Sequence, residues 1–112
     1  MTYKTYDVVV VPFPFTDKTS SKRRPALVLS DAHAFNIPVG QSVLAMIISA
    51  VNSSWPLDVA LSDLDRAGLT SASIVRMKLF TLDHALVLRK IGVLSEEDRQ
   101  QVQQSVHTLL GV

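Results

Sequence analysis

Apolar and polar positions along this chain change period several times, and each change marks an element. Tyr6–Val11 is a run of apolar and β-branched residues, the pattern of a buried strand, and Pro12 and Pro14 are expected to end it. The polar stretch between Phe15 and Arg24 reads as a long loop, anchored by Phe13 and Phe15. Pro25–Ser30 is a second strand, with the proline at its first position, where no N–H is needed. Residues 31–41 contain Pro38 and Gly40 and form a connection with one helical turn near Ala32–Phe35. Ser42–Ala50 is apolar on both alternating sets of positions, which predicts a central strand. Asn52–Pro56 is rich in turn formers, and Leu57, Val59 and Leu61 alternate as in an edge or half-buried strand. Ser62–Thr70 is a turn centred on Gly68, Ser71–Thr81 a strand, and Ala85–Leu88 a short strand or helical turn.

The period then changes to 3.6. Ser95 is a good N-cap, and Glu96, Glu97 and Asp98 put negative charge at the positive end of a helix dipole. Val102, Val106, Leu109 and Leu110 form one apolar stripe, read as core or partner surface, and Gly111 supplies the stop. Many short strands followed by one helix predict a mainly β chain with a C-terminal α-helix. A small barrel suits that order better than alternating βαβ units.

Composition narrows the function. A chain of 112 residues fits one domain, taken as residues 1–112, and at 47% hydrophobic it can bury a core. With no cysteine, disulfides, thiolate metal sites and cysteine nucleophiles are excluded together. The N-terminus lacks a signal-peptide pattern, and the longest apolar run, Val43–Ile48, is too short to span a bilayer. A cytoplasmic protein without a membrane partner is expected. Net charge is +1, with 11 Lys and Arg against 10 Asp and Glu, so a nucleic-acid site must come from local clustering.

Such a cluster exists. Lys22, Arg23 and Arg24 stand together before Pro25, and the proline pushes Arg24 toward extended geometry at a loop–strand junction. A guanidinium aimed in this way suits phosphate, because its planar fork can bind two oxygens. The alternative is a solvated basic loop. Arg76 and Lys78 are two apart in a predicted strand, which puts both on the face opposite Val75, Met77 and Leu79. They are either solvated or placed for phosphate. Ser49 closes the third strand, where its hydroxyl can serve a phosphate, orient a nucleophile or cap the local backbone. Trp55 can stack on a nucleobase or cap the core. His33, His84 and His107 show no metal-ligand spacing, and no metal or cofactor is expected.

Tyr6-Asp7-Val8-Val9-Val10-Val11-Pro12-Phe13-Pro14-Phe15-Thr16-Asp17 is followed in order by Lys22-Arg23-Arg24-Pro25-Ala26-Leu27-Val28 and the strand ending in Ser49. Then come Ala67-Gly68-Leu69, Ser73-Ile74-Val75-Arg76, Phe80-Thr81-Leu82-Asp83 and Ile91-Gly92-Val93-Leu94-Ser95. In this order and spacing the chain resembles the MazF/PemK-like toxins of bacterial type II toxin–antitoxin modules, from Tyr6 to Gly111. The resemblance implies an SH3-like barrel of the MazF/PemK/CcdB type, a homodimer and a cognate antitoxin. It also implies an endoribonuclease that cuts single-stranded RNA without metal, by attack of the 2′-hydroxyl, and so inhibits translation and growth.

Carried over residue by residue, the resemblance makes Arg24 a catalytic residue at the scissile phosphate. Ser49 stands where the family usually has threonine. Arg76 matches an arginine of the PemK-like branch that contributes to cleavage. Arg23, Lys22, Lys78 and Trp55 are the expected RNA and phosphate contacts. Two departures stand out. Lys78 occupies a position that is often aspartate, so a carboxylate base does not carry over, and lysine is left with either phosphate binding or proton transfer. Phe80 replaces an arginine found in many relatives. A second reading is a non-catalytic relative that binds RNA or titrates an antitoxin. A third is a poison of a protein target, as in gyrase-poisoning relatives. Those depend on an aromatic C-terminal tail, whereas this chain ends Leu109-Leu110-Gly111-Val112.

Overall fold

A computed structural model of the chain describes residues 2–14 and 22–112. Residues 15–21, which carry most of the polar loop and the anchoring role expected of Phe15, lie outside the described residues. Six strands form one curled antiparallel sheet: β1 (Asp7–Phe13), β2 (Lys22–Val28), β3 (Gln41–Ser49), β4 (Val59–Ala60), β5 (Ser73–Asp83) and β6 (Arg89–Val93). Their order across the sheet is β4-β5-β3-β2-β1-β6. A π-helical turn at Ala32–Asn36 runs into α1 (Ile37–Val39). α2 (Leu64–Ala67) follows β4, a 3-10 turn (His84–Leu86) precedes β6, and α3 (Glu96–Leu110) ends the chain.

The sheet has an apolar cluster on each face, and neighbouring residues alternate between them. Val8, Leu27, Ala45, Ile47, Val75 and Met77 pack with Leu94 and with Val102 of α3. Val9, Ala26, Val28, Leu44 and Leu82 pack on the other side with Tyr3 and Val87. β3 is central, as its two apolar faces predict, and β4 is an edge.

Several expectations need correction. Pro12 does not end β1: it lies inside the strand opposite Arg23, and Phe13 pairs with Lys22. Pro25 does not begin β2, which starts three residues earlier at Lys22. Both prolines are tolerated because each has one unpaired side: β6 pairs with β1 only over Asp7–Val10, and β3 pairs with β2 only over Ala26–Val28. The expected turn at Ser62–Thr70 contains α2, capped by Asp63 and closed by Gly68 at φ 76°. Ala85–Leu88 resolves as the 3-10 turn, and β6 behind it is a strand that local patterning missed. Gly92 explains how β6 fits, since a Cβ there would come within 2.4 Å of the Arg66 carbonyl oxygen.

α3 is capped as expected. Ser95 Oγ accepts the Asp98 N–H, and Gly111 takes φ 70°. Of the stripe, Val102 is fully buried, whereas Leu109 and Leu110 are exposed. Asp98 is more than a dipole charge: it is buried and binds the backbone at Ser62 and Asp63. No helix among the described residues is long and apolar enough to cross a membrane.

Candidate functional site

β2 and β3 pair only at Ala26↔Met46, Leu27↔Ala45 and Val28↔Leu44. Beyond Met46, β3 continues with β5 alone, and before Ala26, β2 stays with β1 alone. The sheet therefore forks. A groove of roughly 760 Å³ opens there, walled by Arg23–Pro25 on one side and by Met46–Ser49 and β5 on the other. Arg23, Arg24, Arg76, Lys78 and Arg89 all line it, with no carboxylate among the described lining residues. Among the described residues, the charged side chains that line this surface are all cations, which concentrates attraction for an anion.

Each predicted residue has a definite place. Arg24 is exposed inside β2, opposite Val11, with its guanidinium carbon 5.7 Å from the Phe13 ring centroid. Arg23 precedes it and is exposed in the groove. Lys22 is exposed at the head of β2 but does not line the groove. Ser49 is exposed at the end of β3, and its Oγ accepts the Val51 N–H at 3.4 Å, a weak bond that leaves the hydroxyl proton available.

Arg76 and Lys78 both line the groove but differ sharply. Ala45 pairs with Leu79 and Met46 with Arg76, so Met77 and Lys78 have no partner on β3. This bulge in β5 re-aims Lys78, which is exposed. Arg76 is only 8% exposed. Its Nε donates to Asp58 Oδ1 at 3.2 Å and its Nη2 to Asp58 Oδ2 at 2.9 Å. Nη2 also donates to the Ser53 carbonyl oxygen. The Trp55 ring lies 4.7 Å from the guanidinium carbon. Sequence reading left Arg76 as a cation open to solvent or phosphate. In the structure, of its three guanidinium nitrogens, Nη1 alone has no hydrogen-bond partner among the described residues.

Asp58 was missed because its partner lies eighteen residues away. A signal was present: the alternation of Leu57, Val59 and Leu61 leaves Asp58 on the other face. Val59 pairs with Val75, so the next step places Asp58 opposite Arg76. The hydrogen bonds from Arg76 hold the Asp58 carboxyl below the usual carboxylate range. That makes it a poor proton acceptor, and it does not line the groove. Arg89 was missed with β6, where it begins the strand opposite Val10.

The histidines lie elsewhere. Burial pushes the His84 imidazole down, and its Nε2 is 2.7 Å from Ser42 Oγ, with Tyr3 packed edge-on. Ser42 is fully buried, so this pair is structural. His33 and His107 are exposed and do not line the groove. No group of three or more His, Asp or Glu side chains is placed to hold a metal among the described residues.

Solved structures share this architecture. The MazE–MazF complex of Deinococcus radiodurans superposes with a TM-score of 0.75 at 23% identity, covering 100% of this chain and 98% of the toxin chain. An endoribonuclease in complex with its cognate antitoxin, from a mycobacterial species, gives 0.77 at 15% identity, covering 98% and 96%. The Mycobacterium tuberculosis toxin MazF-mt6 gives 0.73 at 16%, covering 95% and 97%. At these identities the likeness establishes the fold. By sequence, no protein of curated function matches significantly. The family model of the PemK-like, MazF-like toxins of type II toxin–antitoxin systems matches residues 4–110, so the chain belongs to that family.

Proposed function

We propose that this protein is a sequence-selective endoribonuclease that cuts single-stranded RNA in the forked groove, as the toxin of its module. The observation that carries this reading is the set of five cations, of which Arg76 is paired with Asp58, in a groove with no carboxylate among its described lining residues. Such a lining suits a polyanion. A single strand suits it too, because side chains on one open face can reach unpaired bases.

The residues divide the reaction among them. When the 2′-oxygen attacks phosphorus, the phosphorane gains negative charge. Arg24, exposed and unable to lose its proton near neutral pH, stabilises that charge. Lys78, re-aimed by the bulge, and Arg23 and Arg89 hold flanking phosphates. Arg76 offers Nη1 to the groove, its other nitrogens being held by Asp58 and Ser53. The Ser49 hydroxyl donates to a non-bridging oxygen. The 2′-proton passes to water, and the departing 5′-oxygen takes a proton back from water. The products are a 2′,3′-cyclic phosphate and a 5′-hydroxyl.

The partners in this reading are single-stranded RNA, a cognate antitoxin and a second copy of the chain, in the cytoplasm. Structures of similar toxins bound to their antitoxins support the second. The test is incubation of the purified protein with a long single-stranded RNA, followed by end mapping. Discrete cuts with cyclic-phosphate ends are expected. Intact RNA at stoichiometric protein would overturn the nuclease reading and leave a non-catalytic binder.

A further inference from the structure

The loop before β4 makes a sharp turn over Arg76. Trp55 begins it, Pro56 and Leu57 form the corner, and the Asp58 N–H returns to the Trp55 carbonyl at 3.3 Å. Leu57 sits at φ 70°, a conformation that such a turn normally gives to glycine and that strains a leucine. The Asp58 carboxylate ties the turn to Arg76 by accepting three bonds. The Trp55 N–H donates to Oδ2 at 2.8 Å, and two Arg76 nitrogens donate alongside. One face of the indole lies against the guanidinium, and Trp55 is still 46% exposed at the groove.

Resting on the nuclease reading of this groove, we propose that Asp58 is a positioning residue that fixes Trp55 and Arg76 as one stacked unit, and that this unit is the platform for an unpaired nucleobase of the RNA. The guanidinium backs one face of the ring and the base takes the other. Arg76 Nη1 is thereby aimed at the phosphate beside that base. A platform of this kind reads bases by stacking, so it favours some sequences without hydrogen-bonding to any of them. The strained turn has a function here: it presents a large aromatic ring at the groove edge with little freedom to move.

Trp55 is the chain's single tryptophan, so its fluorescence reports this site alone. The probes are 2′-O-methylated oligo(U) and oligo(A), which bind but have no 2′-hydroxyl to attack, and an abasic oligomer of the same length. Oligomers that carry bases should quench the wild-type fluorescence, and the abasic one should bind without quenching. Trp55→Ala should weaken base-bearing oligomers by roughly 5- to 150-fold, the usual range for one stacked base, and leave the abasic oligomer unchanged. Asp58→Asn keeps the side-chain size and removes the charge. It should weaken the same oligomers by about tenfold and blunt the quench. Tighter binding in Asp58→Asn would overturn the proposal, because it would mean that Asp58 withholds Arg76 from phosphate. Equal loss on the abasic oligomer would reduce Asp58 to a folding role and overturn it too. If Asp58→Asn does not fold, the wild type still decides: RNA binding without quenching overturns the platform while the nuclease reading stands. No binding of any oligomer overturns both. Binding and quenching without cleavage of ordinary RNA would support the platform and sink the nuclease.

Discussion

Asp98 and Ser62 are joined through two different groups of the serine. One carboxylate oxygen of Asp98 accepts the Ser62 N–H at 3.0 Å and the Ser62 hydroxyl at 2.8 Å, while the other accepts the Asp63 N–H at 3.1 Å. The first turn of α3 is thereby tied to the segment between β4 and α2. Burial alone would push the Asp98 carboxyl up, but the donors from Ser62, Asp63 and Ser95 outweigh it and hold the carboxyl below the usual range.

Asp98→Asn should lower stability at neutral pH by about 1–3 kcal/mol, because an amide nitrogen would face donors in a buried site. The pH dependence follows from the lowered value. Asp98 stabilises the fold above the unfolded pKa of about 3.9, and this is lost as pH falls through the lower folded value. Urea melts of wild type and variant should differ at pH 7 and converge in acid. A constant gap across that range would contradict the assignment.

Gly92→Ala should destabilise the fold by about 1–3 kcal/mol through overpacking. Its Cβ would lie 2.4 Å from backbone atoms of Arg66 and Ala67, which cannot swing aside as a side chain can. Gly40→Ala is the matched control: φ is 74° there, but nothing lies within 4 Å of the added carbon. Thermal melts should show Gly92→Ala as the worse of the two.

Arg24→Ala should cut RNA cleavage by roughly 100- to 1000-fold, the loss of one transition-state charge donor, with melting temperature kept. Arg24 is exposed, so the fold does not need it. Wild-type cutting by the folded variant would remove Arg24 from the chemistry.

Lys78→Ala should weaken RNA binding and reduce the salt slope by roughly 0.7 to 1, the share of one phosphate contact. Lys78→Arg separates its two roles. Phosphate binding survives the exchange, whereas proton transfer does not, because arginine keeps its proton near neutral pH. Single-turnover cleavage measured with both variants distinguishes them.

Cleavage should persist in excess EDTA, since the reaction proposed draws its charge stabilisation from arginine and lysine. Activity that vanished with chelation and returned with Mg²⁺ would replace this chemistry with a metal-assisted one.

Strand and helix identity was legible wherever a periodic apolar face decided it: β1, β3, β5 and α3 carry their burial pattern in their spelling. β6 was not legible. Five residues beginning Arg89-Lys90 carry little signal, and they are strand because β1 offers an edge. In the same way, the prolines misplaced the ends of β1 and β2, because their cost depends on which side of the strand is paired. In the site, local context left Arg24, Ser49 and Lys78 open between solvent and phosphate, and the family resemblance singled them out; all three line the groove. The tie between Asp58 and Arg76 was not legible, since it exists only once β4 lies beside β5. Local spacing shows which residues share a face, and long-range pairing decides which of them are already occupied.

The fork between β2 and β3 makes the basic half of β2 a cantilever, held along one side by β1 and reaching over the groove with nothing from β3 beneath it. The ladders that carry the core, β3 with β5 above all, do not pass through it. The β2 wall of the groove can therefore vary in position and chemistry while the opposite wall, β3 with β5, bears the load. Substitutions in the basic half of β2 can change what the groove binds without first costing the fold.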